Sequence, residues 1–185
     1  MSIRKMTRIA LLSAILYVSK IALEFLPNIE LVSLLVIIYS LVFGWETILI
    51  VTVFNMFELI QWGFGTWWIS YLYVWPLLCV ITMLLKKIIK EEFLIWAMVS
   101  GGFGLIFGSL FAVLNILISP TYAWSYFISG LPWDVVHCIG NFVIMIMVGK
   151  PLYRLLMMLK REYNNFEIKI KEKKKKNRKK MKRKK

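Results

Sequence analysis

The chain has 185 residues, of which 59% are hydrophobic, and its mean hydropathy is +0.69. This apolar share is too high for a soluble domain, so the composition excludes soluble classes and indicates a membrane protein. The formal net charge of +14 comes largely from Lys and Arg at and after residue 150, so it describes the C-terminal segment rather than the apolar body.

Six apolar segments are predicted to cross the membrane as helices of a single all-α bundle, because a helix needs about 20 residues to span the hydrocarbon core. In chain order they cover residues 8–26, 30–43, 46–62, 67–86, 93–118 and 131–159. The second is short, and we expect it to be tilted or to span incompletely. Pro27 and Asn28, Gly44, and the Gly63–Gly65 turn mark the breaks between the first four segments.

The first segment carries two small side chains, Ala10 and Ala14, which lie four residues apart on one helix face. Small residues at this spacing allow another helix to approach closely in lipid. That helix belongs either to this chain or to a partner, and chance also explains the spacing. Lys20 and Glu24 follow at i and i+4, and we expect them to neutralise each other near the outer surface rather than to contact substrate.

The third segment has a polar row formed by Asn55, Glu58 and Trp62, which fall within about 60° of arc on a helix. Ionisable groups inside a membrane are costly, and they usually face a bundle interior or a water-filled cavity. The row therefore predicts substrate-binding side chains. The alternative is a set of interhelical hydrogen bonds worth about 1 kcal/mol each, which hold the bundle together.

Aromatic side chains crowd the outer end of the predicted bundle, including Trp67, Trp68 and Tyr71 in the fourth segment and Trp133 in the sixth. An interfacial aromatic belt explains most such residues, but a belt should appear at both surfaces. The excess at one end is typical of a site for a planar or partly apolar ligand, and both explanations remain open.

The fifth segment offers a smooth surface for close helix packing, because Gly101, Gly102, Gly104 and Gly108 interrupt its larger side chains. Asn115 lies about one turn from the outer end of this segment, within reach of the predicted pocket.

The sixth segment carries a second polar row, Asp134, His137 and Asn141, again within about 60° of arc. Since the third and sixth helices run in opposite directions, the two rows are expected to match in depth and to form a pocket that opens to the outside. His137 would lie about 7 Å and Asn141 about 13 Å below Pro132, at 1.5 Å per residue. Asp134 has an alternative role, because a carboxylate in the first turn of a helix is favoured by the helix dipole.

Basic residues next to the segments predict the orientation of the bundle. They occur before the first segment, after the fourth, and around the end of the sixth: Arg4, Lys5 and Arg8; Lys86, Lys87 and Lys90; Lys150, Arg154, Lys160 and Arg161. With six crossings these groups share one side, which the positive-inside rule assigns to the cytoplasm. The prediction is a multi-pass protein of the plasma membrane with both termini inside the cell.

The chain is predicted to divide into a transmembrane domain, residues 1–161, and a polybasic tail, residues 162–185. A lysine run cannot bury a core, so the tail is expected to be disordered, cytoplasmic and attracted to anionic lipid headgroups. Nucleic-acid binding is not expected, because the run has no interleaved aromatic residues and no fold of its own.

Three stretches together resemble the substrate-binding S component of energy-coupling factor (ECF) transporters, which take up vitamins and related micronutrients. The ALLSA stretch, Ala10 to Ala14, is similar to the AxxxA motif of that family. Residues 28–44, NIELVSLLVIIYSLVFG, resemble its short second helix, and residues 130–156 resemble its sixth. With the other segments the resemblance covers about the first 160 residues.

The resemblance implies a binding subunit that captures a vitamin-like small molecule outside the cell. It further implies docking through Ala10 and Ala14 onto a transmembrane coupling subunit, which works with two cytosolic ATPases, and toppling in the membrane to release the cargo. The lysine-rich tail is not part of the family pattern.

No catalytic, cofactor or metal site is predicted, so the chain is not expected to be an enzyme. Cys79 and Cys138 lie in apolar segments without metal-ligand spacing and are predicted to be buried small hydrophobes. The chain has no phosphate-binding glycine loop, and its single histidine with scattered acids forms no recognisable nucleophile–base set. Two alternatives to nutrient binding remain: a membrane enzyme using Glu58, His137 and Asp134, and a structural subunit of another complex.

Overall fold

The computed structural model describes residues 1 and 3–182, with side-chain burial described as far as residue 166, and this part of the chain is entirely helical. The elements are α1 (Ile3–Ala22), α2 (Val32–Phe43), α3 (Glu46–Trp62), α4 (Thr66–Ile89), α5 (Phe93–Ile116), α6 (Pro120–Ile144), a π-helical turn (Met145–Gly149) and α7 (Lys150–Lys182). No break separates α6, the π turn and α7, so the described chain forms six helical stretches joined by short connections.

Three helical stretches of the described chain are long and apolar enough to cross a membrane. They are Thr66–Ile89, Phe93–Ile116 and Pro120–Phe166. Helix α2 is apolar but has only 12 residues, as expected for the short second segment, and α3 has 17. Helix α1 has 20 residues and includes Arg4, Lys5, Arg8 and Lys20, which lower its hydropathy.

Helices α1 and α3 run parallel to each other. Three polar contacts join them, each across a sequence separation of 37 or 38 residues: Arg8 with Glu46, Ser13 with Ile50, and Lys20 with Glu58. A nearly constant separation is possible only when two helices point in the same direction. Helix α2 therefore returns the chain between them, and its short length fits a connecting role.

The later helices alternate in direction. Tyr73 of α4 donates to the backbone oxygen of Leu110 in α5 at 2.5 Å, and the rings of Trp75 and Phe107 lie 5.5 Å apart, so the contact partners run in opposite order along the two helices. Lys86 at the end of α4 donates to Leu41 at the end of α2 at 2.6 Å. This contact places Lys86 at the same end of the bundle as the Arg8–Glu46 pair, because α3 begins where α2 ends.

Helix α6 packs along α5 through a row of glycines that lets the two backbones approach closely. A side-chain carbon added at Gly104 would lie 2.8 Å from the backbone oxygen of His137, and one at Gly101 would lie 3.1 Å from that of Cys138. Gly108 faces the carboxylate of Asp134, whereas Gly102 faces open space. The predicted smooth face of the fifth segment is confirmed for three of its four glycines.

The sequence left residues 119–130 between the fifth and sixth predicted segments, but α6 already begins at Pro120. Ser119 caps this helix by accepting a hydrogen bond from the backbone of Tyr122, and proline is well suited to the first helical turn. The predicted sixth segment, 131–159, therefore begins inside a longer helix. Asp134 is not in a first turn, so the helix dipole does not account for it.

The described chain divides into two units, Met1–Lys150 and a second that begins at Pro151. In the second unit α7 continues to Lys182, so helix occupies most of the range that the sequence predicted to be disordered, 162–185. Lysine and glutamate are good helix formers, which explains the difference. Residues 183–185 lie outside the described residues.

Candidate functional site

A cavity of about 200 Å³ lies at the end of the bundle opposite the Arg8–Glu46 pair. The connection between α1 and α2 forms one side, and α4, α5 and α6 each contribute one residue. Its lining residues are Lys20, Leu23, Glu24, Leu26, Pro27, Asn28, Ile29, Glu30, Tyr71, Phe107 and His137.

The α1–α2 connection keeps its shape through a tight turn at Asn28. The backbone of Ile29 donates to the oxygen of Leu26 at 3.2 Å, and Asn28 has a φ angle of 56°. Asparagine tolerates this left-handed conformation better than most residues do. The turn also brings Ile29 against Gly140 of α6, where an added side-chain carbon would lie 3.6 Å from it.

His137 and Glu30 form the polar side of the cavity. Nε2 of His137 lies 3.2 Å from Oε1 of Glu30, and that oxygen also accepts a hydrogen bond from Ser33 at 3.0 Å. His137 is only 2% exposed, and its Nδ1 atom has no hydrogen-bond partner among the described residues. A buried ring nitrogen without a partner is costly, so the Glu30 contact is the polar contact that holds this histidine.

Lys20 reaches across the cavity to Glu58, which is completely buried in α3. Its ammonium group also lies 5.3 Å from the centre of the Tyr71 ring. The expected Lys20–Glu24 pair is therefore replaced by a Lys20–Glu58 pair. A buried carboxylate needs a partner charge, and α1 supplies it because α1 and α3 run parallel.

A row of aromatic rings runs between the His137–Glu30 contact and the Lys20–Glu58 pair. The ring of Phe107 lies 4.8 Å from the ring of His137, and 4.9 Å from that of Phe111. Phe111 in turn lies 5.8 Å from Tyr71. Glu58 and His137 consequently do not contact each other. Lys20 and His137 line the cavity, whereas Glu58 lies outside its lining and meets it only through Lys20.

Asn55 and the residues around it form an interhelical contact outside the lining of this cavity. Asn55 donates to the backbone oxygen of Tyr71 at 3.0 Å, and Trp68 donates to the backbone oxygen of Asn55 at 2.8 Å. The ring of Trp67 lies edge-on to Tyr71 at 5.5 Å. Asn55 and Trp68 thus hold α4 on α3, and Trp67 packs against Tyr71 within α4. Tyr71 is the one of these aromatics that lines the cavity.

The remaining polar residues of the predicted site lie between α5 and α6 or on α5. Asp134 accepts a hydrogen bond from the backbone of Gly108 at 2.9 Å, and Asn141 donates to the backbone oxygen of Ser100 at 3.4 Å. Asp134, Asn141 and Asn115 are all buried. The spacing predicted an inward-facing polar row on α6, and burial agrees with it, but only His137 of that row lines the cavity.

Two predicted aromatic contacts are not brought to the cavity. Trp62 is 50% exposed and Trp133 is 52% exposed, as expected of an interfacial belt. The proposed docking residues Ala10 and Ala14 are exposed and half-buried respectively, on a different part of α1 from Lys20.

Sequence reasoning did not identify Glu24, Glu30 and Phe107 as site residues. The sequence signal that could have identified Glu24 and Glu30 as site residues was their position in or beside the short connection between two apolar segments. The direction of α1 relative to α3 was needed to see that the connection faces His137. Phe107 gives no signal of its own, because phenylalanine is common throughout the apolar segments.

The cavity therefore combines carboxylate acceptors, an imidazole, an ammonium group and two aromatic rings, which together can bind a small polar molecule by hydrogen bonds and ring contacts. Helices α1, α4, α5 and α6 carry the ammonium group, the rings and the imidazole, and the α1–α2 connection carries the carboxylates. Comparisons of the chain with protein-family models, with curated proteins and with solved structures gave no match.

Proposed function

We propose that the protein is a membrane-embedded subunit that captures a small, vitamin-like nutrient in the cavity between α1, α4, α5 and α6. The single observation that carries this proposal is the cavity itself, in which buried His137 meets Glu30 beside the rings of Tyr71 and Phe107. A concave site lined by rings and a few convergent polar groups is typical of small-molecule binding.

The proposed orientation has six crossings, with both termini in the cytoplasm. Lys5 and Arg8 pair with Glu46 at one end of the bundle, and Lys86 lies at the same end. The positive-inside rule assigns that end to the cytoplasm. The cavity then opens toward the outside of the cell, where a nutrient would be captured.

Delivery is proposed to require partners of the ECF type: a transmembrane coupling subunit and two cytosolic ATPases. The support is the resemblance of the ALLSA stretch and the short second helix to S components, together with the exposure of Ala10. In this proposal the chain binds and releases its cargo and performs no catalysis of its own.

The test is native mass spectrometry of the full-length chain, purified in detergent and exposed to a panel of water-soluble vitamins and related micronutrients. We expect one compound to be retained at one copy per chain. His137→Ala should weaken retention about tenfold, since a buried hydrogen bond is worth about 1 kcal/mol or slightly more.

Trp133→Ala provides the matched control, because Trp133 is on the same helix but half exposed and outside the cavity lining. Trp133→Ala should retain the compound as well as the unchanged protein does. If no compound is retained, the capture proposal fails. If Trp133→Ala weakens retention and His137→Ala does not, the site is elsewhere, and a structural role becomes the better explanation for His137.

A further inference from the structure

We propose that the captured compound carries a positively charged nitrogen, so the cavity selects small organic cations. This inference rests on the capture function proposed above and narrows its substrate to one charge class. It is carried by the balance of charges around the cavity, by the carboxylate of Glu30 that His137 and Ser33 hold in its wall, and by the position of the aromatic rings.

The cavity has an excess of negative charge. Lys20 is its one lysine, and this ammonium group is already paired with the carboxylate of Glu58 beyond the lining. Glu24 and Glu30 then contribute two more carboxylates to the lining, and His137, which contacts Glu30, is the other lining side chain that can carry a positive charge. The three carboxylates still outnumber the lysine and the histidine together, so a cationic ligand would restore the balance.

Glu30 favours a ligand with an N–H donor. Its Oε1 atom is held by Nε2 of His137 at 3.2 Å and by the hydroxyl of Ser33 at 3.0 Å, which fix the carboxylate in the cavity wall. A carboxylate can only accept hydrogen bonds, and it has two oxygens to do so. A protonated amine supplies a charged donor for the second oxygen, whereas a carboxylate ligand cannot.

The rings add a second preference for positive charge. The ammonium group of Lys20 lies 5.3 Å from the centre of Tyr71, so this face of the ring already attracts a cation within the protein. Phe107 provides another ring in the same lining. Since Lys20 already takes that face of Tyr71, a compact compound with a charged nitrogen would contact Phe107 while it approaches Glu30 in the same lining.

Size and coordination favour an organic cation over a metal ion. The volume of about 200 Å³ lies below the range of sites for drug-sized ligands, which favours a compact compound. Among the residues that the structure describes, no three His, Cys, Asp or Glu side chains are placed to hold a metal ion together. The carboxylates are therefore spread along a cavity wall rather than gathered at one point.

The experiment compares three probes of nearly equal size and different charge: benzylammonium, benzyl alcohol and benzoate. Each is titrated by calorimetry into the full-length protein in lipid nanodiscs. Benzylammonium should bind about tenfold or more tightly than benzyl alcohol, because a hydrogen bond to a charged group contributes more than a neutral one. Benzoate should bind least.

Glu30→Gln keeps the shape of the cavity and removes one charge, so it should reduce the preference for benzylammonium over benzyl alcohol about tenfold. Glu24→Gln should reduce it less, because Glu24 is exposed to solvent. Glu162→Gln is the matched control, since this exposed glutamate lies in α7 and should leave the preference unchanged.

The outcomes separate this inference from the capture function. If the protein retains a nutrient but binds benzyl alcohol or benzoate as well as benzylammonium, or does not bind benzylammonium, the charge preference is overturned and capture stands. If the retained nutrient is anionic, the charge preference is likewise overturned and capture stands. If no nutrient is retained at all, both proposals fail.

Discussion

Lys20→Ala is expected to destabilise the protein by about 3–5 kcal/mol, because it leaves a buried carboxylate without its partner charge. Glu58 is 0% exposed, and Lys20 is the residue that forms an ion pair with it. Its second oxygen, Oε1, already lacks a hydrogen-bond partner among the described residues. Removing the lysine therefore adds a second unsatisfied charged atom to the interior of the bundle.

Thermal unfolding of the purified protein, followed by circular dichroism in one detergent, measures this effect. Lys87→Ala is the control, because Lys87 is exposed at the end of α4. The double variant Lys20→Met/Glu58→Leu should recover most of the lost stability, since well-packed apolar side chains often replace a buried ion pair without loss. Equal unfolding temperatures for Lys20→Ala and Lys87→Ala would contradict the burial of this pair.

Gly104→Ala is expected to cost about 1–3 kcal/mol by forcing α5 and α6 apart. The new methyl group would lie 2.8 Å from the backbone oxygen of His137 and 2.9 Å from the nitrogen of Cys138. Backbone atoms of a helix cannot move aside individually, so the whole contact has to shift. His137 moves with it, so the retention proposed above should fall together with stability.

Gly102→Ala is the matched control on the same helix, two residues away. Nothing lies within 4 Å of a side-chain carbon added at Gly102, so this variant should be as stable as the original or slightly more stable. The gain comes from helix propensity, which favours alanine over glycine by about 1 kcal/mol. If both variants unfold at the same temperature, α5 and α6 are not in close contact at Gly104.

The helices were predictable because their apolar stretches are bounded by residues that end helices. Gly44 and Gly63 end α2 and α3, both with positive φ, and the predicted third segment has the same bounds as α3. The start of α6 was not predictable in the same way. Ser119 and Pro120 can begin a helix as well as end one, and the contacts of α6 with α5 decide between the two.

The site was predictable only in part, because helical spacing shows which residues share a face but not what that face meets. Spacing correctly grouped Asp134, His137 and Asn141 on a buried face. It paired them with the row on α3, whereas Asp134 and Asn141 bind the backbone of α5. The parallel arrangement of α1 and α3, which places Lys20 on Glu58, depends on contacts far apart in the sequence.

The connection between α1 and α2 has a consequence for binding kinetics. It supplies seven of the eleven side chains that line the cavity, Leu23 through Glu30 without Phe25. Short connections open at a much lower free energy than a packed bundle does. For the proposed capture function, the residence time of a bound compound is expected to depend on how often this segment opens. Substitutions in the segment should then change the release rate while the bundle keeps its stability.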